Sequence, residues 1–508
     1  MDIVVNRQLL QGKNISYKKV NYANFFNGIN VDYDQFILPI NHSINTYNFS
    51  FSRGALTTGL GINSIYFPTN VLMVDKSTRV ANFTGYEIKA TWLYRKENQS
   101  RSDNHNNFYY YNLLIFQTTN GNFYYYDICH TSDYIKQING INLTDIPNIV
   151  NYNLNGVDSI LICSTQGMYF WDQTKNTATK VDNAPKIKSM CLHYERLFAT
   201  VDSDRNEIWF SDDLDPTNWN VSIEEAGFIK FNDDRGVVNK VVSFNDYVYV
   251  FREYGISRIT AYAQQTEFNV AQLFVSSGKI YGNSVCVCGD KILMLTANGI
   301  YAFDGYNTTK INLNIDNLLD NTQNINCQSC YCNGKYYLAC NLNFHDDKKV
   351  LCENNNGFVN NALLELDLET KNLNIMRGVD IRNLNAVLDD KVNKVIVVYN
   401  DGTNYKIGEL GNFGKVYDTI LPKCWQSPLS DFGYPEKYKI IKEIYLKSKS
   451  PLSITIRTES NSKTFKLTPK NGIATLTTII KGKLIAVDFE SSEDIVEISN
   501  PTIIMGLV

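Results

Sequence analysis

A chain of 508 residues with 44% hydrophobic and 20% charged side chains can fill one large repeat fold plus a smaller domain, and this composition excludes a disordered polypeptide. The formal charge of -4, the pI near 5.9 and the lack of any Lys/Arg run exclude high-affinity wrapping of nucleic acid, which needs cations to neutralise successive phosphates. The 33 Tyr and 26 Phe favour strands, because aromatic rings suit half-buried pleated surfaces.

The chain opens with MDIVVNRQLL, which has an acidic second residue and no apolar stretch of signal-peptide length. Synthesis in a cytoplasm, with no membrane anchor, is the expectation. Residues 1–85 show little periodicity and read as an extended N-terminal segment leading into the next domain. Within it GALTTGLG, from Gly54 to Gly61, superficially resembles a phosphate loop, but no Lys-Ser/Thr follows the last Gly, so a turn-rich connector is the better reading.

Over residues 86–428 one unit recurs: an apolar strand, a turn usually carrying Gly, and a second apolar strand. It appears as NLLIFQTTNGNFYYYDI from Asn112, DSILICSTQGMYFWD from Asp158, ERLFATVDSDRNEIWFSD from Glu195, DYVYVFREYGISRI from Asp246, DKILMLTANGIYAFDG from Asp290 and KVIVVYNDGTNYKIGEL from Lys394. A further copy, GKYYLACN from Gly334, reaches its second strand only after an insertion, at NALLELDLETKNLNI. The markers Leu113, Ile160, Leu197, Val248, Ile292, Tyr337 and Ile396 recur at intervals of 37 to 59 residues, bracketing the propeller blade period of about 40 to 50. Single hairpins are marginal in water, so many copies must stack to bury their faces. The expectation is an all-β chain built on a β-propeller of six to eight blades, seven favoured.

Gly121, Gly167, Gly255, Gly299 and Gly402 sit at the hairpin turns, where a tight reversal asks for positive φ. They are read as structural turn residues. After SPLSDFGYPEKY, a turn-rich linker, short alternating strands fill 429–508 and read as a C-terminal β-sandwich.

The search for chemistry returns little. The five His form no pair or H-E-x-x-H spacing, and the 11 Cys do not resemble a disulfide framework. Cys327, Cys330 and Cys332 make the one CxxCxC cluster; alternation puts Cys330 and Cys332 on one strand face, where core packing outweighs metal binding. Asp202, Asp204 and Asn206 mimic the start of a calcium loop, but Glu207 stands where that loop needs Gly. Asp212, Asp213 and Asp215 could imitate a glycosidase pair, although turn carboxylates are common. No catalytic, cofactor-binding or metal residue is assigned, and the chain is read as not an enzyme. Trp209, Trp219 and Trp425 are candidate interface residues with core packing as the equal alternative.

HYERLFATVDSDRNEIWFSDDLDPTNW, SSGKIYGNSVCVCGDKILMLTANGIYAFDGYNTTKI and the opening NFFNGINVDYDQFILPINHSINTYNFSFSRGALTTGLG resemble segments of the packaged-DNA stabilisation and tail-nozzle proteins of bacteriophages. That resemblance touches the N-terminal stretch and two blades. It implies a propeller-bearing virion subunit at the head-to-tail passage or tail nozzle, assembled in a host bacterial cytoplasm as a homo-oligomeric ring. Portal, adaptor and tail proteins are the implied partners, with transient contact to passing DNA. The second reading is a tail or baseplate receptor-binding protein that recognises host-surface glycan through exposed aromatics such as Tyr109 to Tyr111.

Overall fold

The computed structural model describes residues 16–21, 25, 28–65, 87–98, 109–127, 135–154, 156–172, 175–202, 204–222, 225–262, 264–388 and 393–508. The chain divides into two units, residues 60–419 and a second unit made of residues up to Gly59 together with Ile420–Val508.

The first unit is a β-propeller. Among the described residues it holds seven sheets in chain order, the first six antiparallel: blade 1 over 88–138, blade 2 over 148–181, blade 3 over 187–230, blade 4 over 238–275, blade 5 over 286–310, blade 6 over 328–377 and blade 7 from residue 380. All seven sequence markers fall on the second strand of a blade, from Leu113 on Tyr109–Thr118 to Ile396 on Asn393–Asn400.

These second strands read as unbroken apolar runs because each feeds two cores. Side chains alternate across a strand, so Ile160 and Ile162 pack with Leu113, Ile115 and Tyr125 of blade 1, while Leu161 and Cys163 pack with Leu197, Ala199 and Trp219 of blade 3. Phe198, between Leu197 and Ala199, turns the other way to meet Val241, Val248 and Val250 of blade 4. Each fully buried side chain of this kind is worth roughly 1.5–3 kcal/mol.

Blade 7 takes its fourth strand from the other end of the propeller sequence. Asp380–Leu388, Asn393–Asn400 and Tyr405–Gly411 are completed by Gly61–Ser64, antiparallel to Tyr405–Gly411 with Leu410 opposite Ile62. The same sheet then packs on blade 1: Val387, Ile396, Val398 and Ile407 share a core with Ile88, Leu114 and Phe116, and the Thr91 amide donates to Asn383 Oδ1 at 3.1 Å. The ring is therefore closed by a strand that precedes blade 1 in the chain. The propeller starts at this closing strand rather than at 86 and ends at Thr419 rather than at 428.

The second unit is a sandwich of two sheets. One runs Phe49–Ser52, Ala55–Thr58, Glu497–Leu507, Lys439–Ser448, Ile473–Gly482, with Ser16–Asn21 also paired to Glu497–Leu507. The other runs Asn45–Tyr47, Lys423–Gln426, Ile485–Ser491, Leu452–Thr458, Ser462–Leu467. The alternating burial of Leu452–Thr458 and Lys439–Ser448 points one face of each sheet into a shared core of Ile441, Ile444, Ile454, Ile456 and Phe489. The expected division at 429 is corrected here. The N-terminal segment supplies strands to this sandwich, and the supposed linker is an internal loop: Ser427 receives Arg457 Nη2 on its carbonyl at 2.7 Å, and its amide donates to Asp488 Oδ1 at 3.1 Å.

Candidate functional site

Four of the five predicted turn glycines hold positive φ: Gly121 at +87°, Gly167 at +153°, Gly299 at +121° and Gly402 at +105°. Gly255 does not, which corrects that assignment. It begins the strand Gly255–Thr260, and a Cβ there would meet the Phe274 carbonyl oxygen at 2.8 Å, so close backbone approach rather than φ demands Gly. At Gly299 a Cβ would stand 2.7 Å from Lys310 Cε and 2.8 Å from Asp316 Oδ1. Gly299→Val is expected to lose about 1–3 kcal/mol, because a β-branched residue is strained at positive φ; an unchanged urea midpoint would refute that role.

The chemistry-bearing residues singled out in the sequence are occupied by packing or turns. Cys327, Cys330 and Cys332 are buried, and burial pushes the Cys327 thiol up to about 12 and raises the other two, so they stand as protonated core groups. Asp202 pairs with Lys188 at 2.6 Å and Asp204 with Lys230 at 3.0 Å. GALTTGLG forms part of a hairpin and the start of the closing strand, with no helix N-terminus to receive a phosphate. Among the described residues no three His, Cys, Asp or Glu gather as a metal set; His105 and His130 lie outside them.

The DDLDPTNW stretch organises itself. Asp212 Oδ2 accepts from Asn218 Nδ2 at 2.9 Å, Asp215 Oδ1 accepts from the Thr217 amide at 2.9 Å, and Trp219 Nε1 donates to the Pro216 carbonyl at 3.0 Å. Beneath it Arg196 donates to the Ser211 carbonyl at 3.3 Å and pairs with Glu225. Trp219 is 2% and Trp425 0% exposed, the first sealing the core between blades 2 and 3 and the second packed 4.9 Å from Phe25 in the sandwich. Both are core residues, not interface residues. Trp209 is half-buried, stacked 5.5 Å from the ring of Phe228 on blade 3. The Tyr109–Thr118 strand carries the tyrosines proposed for sugar stacking, but their side chains lie outside the described residues.

Sequence reading missed a surface on blades 3 to 5. In an antiparallel blade the turn between strands one and two and the loop between strands three and four leave at the same end. At that end lies a cleft of about 490 Å³ lined by His193, Tyr194, Arg196, Asp213, Tyr262 and Gln264, together with Glu195, Glu225 and Ala261. From it a row of rings extends: Tyr194 to Tyr262 at 5.9 Å, Tyr262 to Tyr247 at 6.3 Å, then the Arg258 guanidinium 4.4 Å from Tyr247 and 5.4 Å from Tyr306.

Tyr194 sits at φ +51°, whereas the matching turns of blades 4 to 6 place Asn245 and Asp246, Gly289, and Asn333 and Gly334 in the left-handed region. Those types enter it readily; a tyrosine does so at roughly 1–2 kcal/mol. An aromatic residue where turn physics asks for Asn or Gly is the signal that could have exposed this site.

Beneath Tyr194, His193 is 3% exposed; its Nδ1 lies 2.9 Å from Ser243 Oγ and its Nε2 has no partner. Burial pushes its pKa down to about 4 from 6.5, against the opposing pull of Asp246. The unfolded chain therefore binds a proton that the folded state refuses between those values, and stability falls as pH drops from about 6.5 toward 4. The expected loss is about 2–3 kcal/mol. Urea midpoints at pH 7 and pH 4.5 check this, and His193→Gln should remove that share of the slope.

No protein family matches this chain, and no curated protein matches it. Among solved structures it is similar to Hsv2 of Kluyveromyces lactis, with a TM-score of 0.36 and 14% identity over 64% of this chain and 99% of that one. It is also similar to PorZ, an essential bacterial surface component of the type-IX secretion system of Porphyromonas gingivalis, with a TM-score of 0.34 and 11% identity. That second match covers 58% of this chain and only 38% of PorZ. The likenesses are distant, and the propeller assignment rests on the strand order itself.

Proposed function

We propose that this chain is a non-enzymatic structural subunit of a bacteriophage virion, acting as a ring component at the head-to-tail passage or tail nozzle. One observation carries the reading: the segment that resembles phage proteins, Glu195 to Trp219, supplies the two inner strands of blade 3, Arg196–Val201 and Glu207–Phe210, and the self-organised loop that follows them. Its apolar residues Leu197, Phe198 and Ile208 fill interblade cores, and Asp212, Asp215 and Trp219 order the loop. The resemblance thus lies in residues that build the fold and brings with it no catalytic group, which supports an architectural reading.

Identical subunits with broad lateral surfaces close into rings through heterologous contacts. Portal, adaptor and tail proteins are the partners this role requires. The net charge of -4 suits a wall past which DNA must slide, since it repels phosphates rather than holding them. Disruption of the gene followed by electron microscopy of the particles tests the role. Heads lacking DNA or lacking tails are the expected result. Intact, DNA-filled particles that only fail to adsorb would overturn it in favour of receptor binding.

A further inference from the structure

Tyr194, Tyr262 and Tyr306 keep much of their ring surface in solvent, at 54%, 42% and 61% exposure, whereas many of the propeller's aromatics are buried between blades. We propose that the cleft beside Tyr194 and the tyrosine row crossing blades 3 to 5 form a binding site for a neutral glycan chain. The inference goes beyond the virion role and does not depend on it, because binding is read on the free protein.

Three observations converge on that ligand class. The rings of Tyr194, Tyr262 and Tyr247, at centroid spacings of 5.9 and 6.3 Å and inclined to one another by 44° and 61°, offer successive apolar faces and edges to the C–H groups of linked pyranose rings. The cleft is edged by Glu195, Asp213, Glu225 and Gln264, groups that accept or donate to sugar hydroxyls in fixed directions. His193 lines the same cleft with a buried Nε2 that lacks a partner, and a buried polar atom without one is an exception that a ligand hydroxyl would resolve.

Charge selects the neutral class. Arg196 is already committed to Glu225 and the Ser211 carbonyl, so the rim is left acidic and repels phosphate, sulfate and uronate groups. The same balance disfavours nucleic acid, which the Arg258 cation alone does not offset. Tyr194 adds an independent indication: it keeps a left-handed conformation that Asn or Gly takes in the equivalent turns, so its ring is retained at that spot against the preference of the backbone.

The test is affinity electrophoresis and calorimetry of the full chain with glycogen, yeast mannan and a neutral galactan, with heparin and a proline-rich peptide as the other arms. Binding to at least one neutral polysaccharide is expected, weakened at least tenfold by Tyr262→Ala and by Tyr194→Asn. The second variant guards against misfolding, since Asn suits the turn and the melting temperature should hold or rise while binding is lost. Tyr262→Phe, which keeps the ring, should bind within about threefold of the parent chain. No binding to any neutral polysaccharide, binding unaffected by either ring deletion, or preference for heparin or the peptide would each overturn the proposal.

Discussion

Ile62→Asp is expected to destabilise the propeller by about 4 kcal/mol or more, because it places a carboxylate at a position with no solvent exposure. Ile62 lies on the closing strand, opposite Leu410, and its carbonyl accepts from the Tyr417 amide at 2.8 Å. Loss of this strand would strip blade 7 of its fourth member and leave the Tyr405–Gly411 edge unpaired. Urea unfolding followed by circular dichroism measures the effect, with Asn63→Gln on the exposed face of the same strand as the control. The control should change stability by less than about 0.5 kcal/mol. Equal midpoints for the two variants would mean that Gly61–Ser64 does not close the ring.

The second large effect is expected at Arg377, whose side chain is 2% exposed. It donates to Asp346 Oδ2 at 2.8 Å, to Glu353 Oε2 at 2.9 Å and to the Lys348 carbonyl at 2.6 Å, with its guanidinium 4.0 Å from the Phe344 ring. These contacts pin the long insertion between strands Lys335–Cys340 and Ala362–Asp367 of blade 6. Arg377→Met removes the cation and strands Glu353, itself 8% exposed, at an expected cost of about 3–5 kcal/mol. Arg377→Lys should recover only part of this, because an ammonium cannot reproduce the planar fork. Proteolysis within residues 345–358 should accelerate in the Met variant; unchanged stability and cleavage would show that the insertion orders itself without Arg377.

How far the sequence carried the fold follows from which contacts are local. The seven second strands were legible because each hairpin writes its own pattern of apolar run, turn and apolar run. The closing strand was not: Gly61–Ser64 is four residues long, and its partner Tyr405–Gly411 is far along the chain, so nothing near it announces the pairing. The split sandwich escaped notice for the same reason, since Asn45–Tyr47 pairs with Lys423–Gln426 and Ser16–Asn21 with Thr502–Leu507.

At the level of single residues, Gly299 and Gly402 were readable as turn positions, while Gly255 looked identical and serves a different need, close approach to Phe274. The tryptophans could be weighed only by type, and burial decided two of them. The tyrosine row was invisible because Tyr194, Tyr262 and Tyr306 come from three blades and meet only once the ring is built. Tyr194 alone left a trace, an aromatic residue in a turn where the repeat elsewhere places Asn or Gly.

A reconstructed density map of the assembled virion tests the proposed role most directly. It should show several copies of this propeller arranged as a closed cyclic ring around the DNA path, between the portal and the distal tail. Copies at the tips of fibres or on the baseplate rim, or particles that contain no copy at all, would contradict it.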